Sequence, residues 1–198
     1  MTVDIRLAHT NDAAGIRAIY APYCESTTVS FEVVAPTVDQ MRERIARIST
    51  NYPWIVAETD GRLLGYVYAT QFRERAAYRW AVELAIYVAM TEQRRGLGRA
   101  LYTTLFSILR EQGYFKAIAG ITLPNPASVG LHESVGFRPA GIFQGVGYKA
   151  GKWLDVGWWQ LELQPEIDEP REPRPFSAVH QSAFLAAAFD EGRRQINR

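Results

Sequence analysis

The strand-like run Glu83-Leu84-Ala85-Ile86-Tyr87-Val88 and the turn Gln93-Arg94-Arg95-Gly96-Leu97-Gly98 that follows it decide how the rest of the chain is read. Val82, Leu84, Ile86 and Val88 alternate with Glu83, Ala85 and Tyr87, the two-residue period of a largely buried strand with one carboxylate set into it. Past the glycines, Leu97, Leu101, Leu105, Ile108 and Leu109 fall on one helical face, and Gly113 closes the helix. A strand feeding a basic, glycine-containing helix start is an anion site. The first-turn N–H groups converge there, the helix dipole adds positive potential, and glycine admits a ligand to the backbone.

Upstream, Val3 to Ala8 alternates as a strand. Thr10 or Asn11 is expected to cap a helix whose face is Ile16, Ile19, Tyr20 and Tyr23, with Pro22 shortening or kinking it. Glu25 to Ser30 reads as a loop, and Pro36-Thr37 introduces a helix carrying Met41, Ile45 and Ile48. Trp54–Glu58 and Leu63–Ala69 flank Asp60-Gly61, the signal of a hairpin. Downstream, Phe115–Ile121 is a strand and Asn125 caps a short helix with Pro126 at its first position. Phe137–Phe143 and Lys152–Leu163 complete the sheet. Residues 1–164 therefore form one domain. Pro165 to Pro175 reads as a proline-rich linker, and Ala178 to Gln195 as a helix striped by Phe184, Leu185, Ala188 and Phe189, so that 165–198 is a tail.

At 198 residues the chain can bury a sizeable core, and its net charge of +1 argues against bulk nucleic-acid or membrane-surface binding. The single cysteine, Cys24, has no intramolecular partner and fits a reducing cytoplasm as a packed thiol. No signal pattern or membrane-length apolar run is present, and His9, His132 and His180 lack metal-ligand spacing, so no metal is expected.

Gln93-Arg94-Arg95-Gly96-Leu97-Gly98 matches the Q/R-x-x-G-x-G/A loop of the GNAT N-acetyltransferases. Thr28–Glu32, Tyr52–Glu58, Leu123-Pro124-Asn125, His132-Glu133 and Asp155–Leu161 resemble the phosphinothricin and methionine sulfoximine acetyltransferases within that family. The likeness runs from about Ile5 to Leu163 and leaves out the tail. It implies an α/β GNAT fold, with helices on both faces of a mixed, mainly antiparallel sheet splayed at the acetyl-CoA site. It also implies a homodimer.

In that family the pantetheine arm of acetyl-CoA lies between the splayed strands, which here would be Val82–Val88 and Lys116–Ile121. The resemblance assigns Ile86, Tyr87, Val88 and Asn125 to the pantetheine, and Arg94, Arg95, Gly96, Leu97, Gly98 and Arg99 to the pyrophosphate. It places Arg73, Glu74, Arg75 and Tyr78 of the basic, aromatic loop at the acceptor pocket with Leu84 and Ala85, although composition alone favours a solvated loop with Tyr78 and Trp80 packed. Leu84-Ala85 stands where related enzymes carry small hydroxyl residues. Glu83, the one carboxylate of the central strand, is open to two roles: a structural partner of Arg75 or Arg79, or the base that removes the amine's proton. The resemblance favours the base. A lone helical histidine such as His132 is more often a surface or packing residue, but the resemblance puts it in the active site as acid or second base, since histidine titrates near neutrality. The expected reaction is direct acetyl transfer from acetyl-CoA to a small primary amine. The rivals are a protein or peptide acceptor and a silent acyl-CoA-binding module.

Overall fold

Asp60 (φ 49°) and Gly61 (φ 77°) make the tight turn that the sequence signalled, and β2 (Trp54–Thr59) and β3 (Arg62–Gln71) pair antiparallel across it in a computed structural model that describes residues 3–180 and 183–196. With β1 (Asp4–Leu7), β4 (Ala81–Val88), β5 (Lys116–Leu123), β6 (Arg138–Lys149) and β7 (Lys152–Glu162) they form one sheet, ordered β1-β2-β3-β4-β5-β7-β6. Every pairing is antiparallel except β4 with β5.

Helices cover both faces. α1 (Ala13–Glu25) and α2 (Val38–Ser49) bury Ile16, Tyr20, Tyr23, Met41 and Ile45 against Trp54, Val56 and Tyr66. On the other face α3 (Leu97–Gln112) sets Leu101, Leu105 and Ile108 against Ile55, Val67, Val82 and Leu84, and α4 (Pro126–Ser134) follows β5. Cys24 is 1% exposed, a packed thiol.

β4 and β5 separate. Their parallel pairing covers Ala81–Glu83 with Lys116–Ile118 and then stops, although both strands continue. The phase of the β3–β4 ladder follows from Ala89, whose N–H donates to the Leu64 carbonyl at 2.8 Å. Antiparallel ladders alternate, so the peptide groups of Glu83, Ala85 and Tyr87 turn toward β3. Those of Leu84, Ile86 and Val88 turn into the opening.

Several local expectations are corrected. The chain enters α1 through a 3-10 turn, Thr10–Asp12, and the Asp12 carboxylate rather than Thr10 or Asn11 accepts the His9 N–H, at 2.9 Å. α1 continues past Pro22 to Glu25. β6 extends six residues beyond Phe143, through a register shift before Gly147.

The segment 165–175 is anchored along the domain. Arg174 N–H donates to the Gln112 carbonyl at 2.7 Å, Gln112 Nε2 donates to the Asn51 and Arg174 carbonyls, and Trp80 Nε1 donates to the Arg171 carbonyl. Phe176, Val179, Leu185 and Ala188 join the α3-side core. Phe176–Ala178 is a 3-10 turn, α5 begins at Ala183, and the part of the expected helix at residues 181–182 lies outside the described residues. α5 (Ala183–Ile196) lies along α3 so closely that a Cβ on Gly192 would collide with Thr104 Oγ1 and stand 2.9 Å from the Ala100 carbonyl. Its last turn reaches the start of α3, and Arg193 bonds Asp4 (2.8 Å) and the Ile5 carbonyl (3.1 Å).

Candidate active site

A cavity of about 600 Å³ lies where β4 and β5 part. Its floor is β4 from Glu83 to Tyr87 and β5 from Gly120 to Thr122; Asn125, Ser128 and His132 of α4 close one end. Phe31, Glu32, Phe143 and Trp158 also wall it.

Two carboxylates face this space, and their surroundings push them apart. Arg44 binds Glu32 through both oxygens (2.6 and 3.0 Å), and Tyr20 donates to it at 3.0 Å. Burial pushes the Glu32 carboxyl up, but these donors together hold it below its usual value. The Glu83 carboxylate has no hydrogen bond or ion pair among the described residues; its backbone carbonyl accepts from Thr70 Oγ1 at 3.4 Å. Burial raises its pKa and only the more distant charge of Arg73 opposes this. Arg79 pairs instead with Glu172, and Arg75 has no ion pair among the described residues, so the structural pairing open to Glu83 in the sequence is not made. A pair of carboxyls split in this way separates a fixed anion from a proton acceptor.

His132 is 4% exposed. Its Nδ1 lies 2.8 Å from the Ser128 carbonyl and its Nε2 2.7 Å from the Tyr102 hydroxyl. A carbonyl can only accept, so Nδ1 carries the proton and Nε2 accepts from Tyr102. Burial lowers the His132 pKa, with the Ser128 bond opposing, so the ring is neutral at pH 7 with both nitrogens engaged. Asn125 caps α4 by accepting the Ser128 N–H at 3.1 Å, which leaves its amide NH₂ for the cavity.

At the anion loop Arg94 (φ 63°) and Gly96 (φ 78°) are both left-handed. Ala100 N–H bonds the Gly96 carbonyl at 3.0 Å, so the N–H groups of Leu97, Gly98 and Arg99 precede the first α3 bond and face outward for an anion. Arg95 pairs with Glu92 and Arg99 donates to the Ser134 carbonyl, while Arg94 has no partner among the described residues. Both glycines also stand close against protein. A Cβ on Gly98 would stand 2.7 Å from Leu131 Cδ2, and one on Gly96 3.3 Å from the Gln195 carbonyl of α5.

The expected site residues are therefore brought together unevenly. Of the acceptor loop, Arg73 reaches the main cavity and stacks on Phe72, whereas Glu74, Arg75 and Tyr78 line only a neighbouring depression. The Leu84 side chain is 5% exposed in the α3-side core, and Ala85 lies on the opposite face, with Glu83. The peptide of Tyr87 is spent on β3, while its ring packs against Tyr20, Tyr23 and Tyr66; Ile86 keeps its gap-facing peptide and Val88 its N–H, the Val88 carbonyl accepting from the Tyr23 hydroxyl. The sequence reading passed over the wall at 29–32. There Lys149 of β6 donates to the Ser30 and Glu32 carbonyls (2.5 and 2.8 Å), and Phe31 packs on Gly147. The Thr28–Glu32 match was its only signal.

Residues 5–158 match the acetyltransferase (GNAT) domain family. The chain is 40% identical over 179 residues to the phosphinothricin N-acetyltransferase of Streptomyces viridochromogenes, covering 90% of this chain and 96% of that one. It is 34% identical over 172 residues to the L-methionine sulfoximine/L-methionine sulfone acetyltransferase of Pseudomonas aeruginosa, covering 86% and 100%. The crystal structure of a GNAT superfamily phosphinothricin acetyltransferase from Sinorhizobium meliloti in complex with AcCoA superposes with a TM-score of 0.80 at 31% identity, over 89% of this chain and 99% of that one. With its splayed β4 and β5, its arginine-rich turn into α3 and these relatives, the chain belongs to the GNAT acetyltransferases.

Proposed function

We propose that this chain transfers the acetyl group of acetyl-CoA directly to the primary amine of a small amino-acid-like acceptor, of the phosphinothricin or methionine sulfoximine type. The observation that carries the reading is Glu83, a partly desolvated carboxylate with no partner among the described residues, at the point where β4 leaves β5 and facing a cavity of about 600 Å³. Acetyl-CoA supplies the activated acyl thioester, and the residues present fit it. The gap-facing peptides of Leu84 and Ile86 and the N–H of Val88 suit an amide-bearing arm, and the free N–H groups of Leu97, Gly98 and Arg99, with Arg94 beside them, suit a pyrophosphate. Asn125 offers its NH₂ to the arm.

An ammonium cannot attack, so its proton must leave first. Glu83 takes that proton, directly or through a water, and its raised pKa strengthens it as a base. Arg73, a cation of the cavity wall with no ion pair among the described residues, pairs with the acceptor's acidic group. The neutral His132, held between Tyr102 and Ser128, fixes α4 and with it Asn125. Cys24 is buried, which favours a single ternary complex over an acyl-enzyme on that thiol.

The exposed Ile142, Phe143, Val146, Tyr148 and Trp153 of β6 and β7 support a homodimer through this edge of the sheet, and the lone thiol supports a cytoplasmic setting. Release of CoA thiol is to be measured with a panel that includes phosphinothricin, methionine sulfoximine, common amino acids and a peptide amine. Turnover with a small amino-acid analogue is expected. Acetyl-CoA binding without turnover of any amine would overturn the reading in favour of a silent module, and turnover of the peptide alone would overturn the acceptor class.

A further inference from the structure

The Tyr23 hydroxyl of α1 donates to the carbonyl of Val88, the last residue of β4, at 2.5 Å, and accepts from Gln93 Nε2 at 3.1 Å. Its ring packs edge-on against Tyr87, with centroids 5.2 Å apart. One hydroxyl thus joins three segments: α1, the end of the open strand, and Gln93, the first residue of the Gln93–Gly98 turn. In sequence Tyr23 is simply one more apolar position on the buried face of α1.

Val88 belongs to the residues whose peptide groups turn away from β3, toward the opening. A free carbonyl there would set a second oxygen against any acyl carbonyl seeking N–H donors, and two such oxygens repel. With its one proton Tyr23 occupies that carbonyl, while the Val88 N–H stays available on the gap side. The Gln93 bond extends the same fixation to the entry of the anion loop. Burial raises the Tyr23 pKa, so the hydroxyl stays protonated and remains a donor at every physiological pH.

We propose that Tyr23 is a positioning residue: with Gln93 it presets the Val88 peptide and the anion loop relative to one another, so that both ends of acetyl-CoA meet a site already formed. This rests on the acetyl-CoA reading above and deepens it, since neither residue is asked to touch the reacting atoms.

The test uses the full chain, with Tyr23→Phe, Gln93→Leu and the double variant, each read by calorimetric titration with acetyl-CoA, by the KM of the amine and by thermal melting. Tyr23→Phe keeps the ring against Tyr87 and removes only the hydroxyl. It is expected to weaken acetyl-CoA binding about three- to tenfold, the worth of one hydrogen bond, while the amine KM moves less than about twofold. Gln93→Leu is expected to show a smaller loss of the same kind. The double variant should match Tyr23→Phe, because Gln93 acts through the hydroxyl. Unchanged acetyl-CoA affinity in Tyr23→Phe, or a loss shared equally by cofactor and amine with a lowered melting temperature, would overturn the proposal alone. So would additive losses in the double variant. Failure of the wild type to bind acetyl-CoA would overturn the cofactor reading and this one with it.

Discussion

Glu83→Gln separates a base from a structural carboxylate, because the two roles give opposite signs in two measurements. Glutamine keeps the volume and the hydrogen-bonding capacity but cannot accept the amine's proton. Loss of general-base catalysis lowers kcat by about 10²–10⁴-fold. Stability should move the other way. Burial raises the Glu83 pKa, and no ion pair repays the desolvation of its charge. A carboxyl raised in the folded state favours the fold below its unfolded pKa and works against it as pH rises through the folded value. At neutral pH the glutamine therefore removes an unfavourable burial of charge, and the melting temperature should hold or rise. The kcat–pH profile gives a third reading. In the wild type the rate should climb with pH through a pKa above the ordinary 4.5 of glutamate; in the variant that limb should vanish, and only higher pH, which supplies neutral amine, should restore rate. Stopped assays of thiol release from pH 5 to 9, beside melting curves and an acetyl-CoA titration, cover all three. A variant that turns over like wild type at neutral pH, or melts several degrees lower with normal cofactor affinity, would refute the base assignment.

Gly192→Ala tests the α3–α5 contact by its sign: helix propensity alone predicts a gain of about 1 kcal/mol, but the added Cβ meets Thr104 and the Ala100 carbonyl, and overpacking costs about 1–3 kcal/mol. A fall in melting temperature of about 2–8 °C is expected, and a rise would show that α5 moves off α3 at no cost. Gly96→Val forces a β-branched residue to φ +78° against Gln195, and should weaken acetyl-CoA binding at least about tenfold by calorimetry, with Arg94→Ala losing less. Equal affinities would remove the loop from the cofactor site. Because burial lowers the His132 pKa, the unfolded chain takes a proton below about pH 6.5 that the folded chain refuses. Stability should then fall on acidification through that window by up to about 1.4 kcal/mol per pH unit, and urea melts at pH 7.5 and 5.5 should show a shallower fall in His132→Asn than in wild type.

The central strand, the helix after it and the hairpin at Asp60-Gly61 were legible because each carries its own period or turn chemistry over adjacent residues. Glu83 was legible for the same reason, as the one charge in an apolar alternation. The reading weakened wherever a contact joins distant segments. Nothing near Ser30 announces Lys149, which binds its carbonyl from 119 positions away. Gln144-Gly145-Val146-Gly147 has no two-residue period, so the second half of β6 was hidden behind a register shift. The resemblance put Leu84 beside Ala85 at the acceptor pocket; Leu84 lines the cavity while its side chain is buried on the α3 side, because neighbours on a strand face opposite ways. The proline-rich segment reads as a linker by composition. Its anchor is Gln112, a polar helix residue whose 1% exposure no local pattern signals. The glycines of the anion loop looked like openings for a ligand, because the sequence does not say that Leu131 and α5 occupy the space beside them.

The clasp between α5 and β1 bears on the order in which contacts form during synthesis. β1 and α3 emerge early from a ribosome, yet Arg193 closes on the Ile5 carbonyl across 188 positions, and Gly192 seats against Thr104 only after every strand has been made. Until then the outer face of α3 stands open, and the edge of the sheet at β1 lacks its cover. Contacts of such long separation form late and slowly, since the entropy of closing the intervening chain comes before their gain. Translation therefore yields first a sheet with a sticky flank, and α5, made after all seven strands, then covers it.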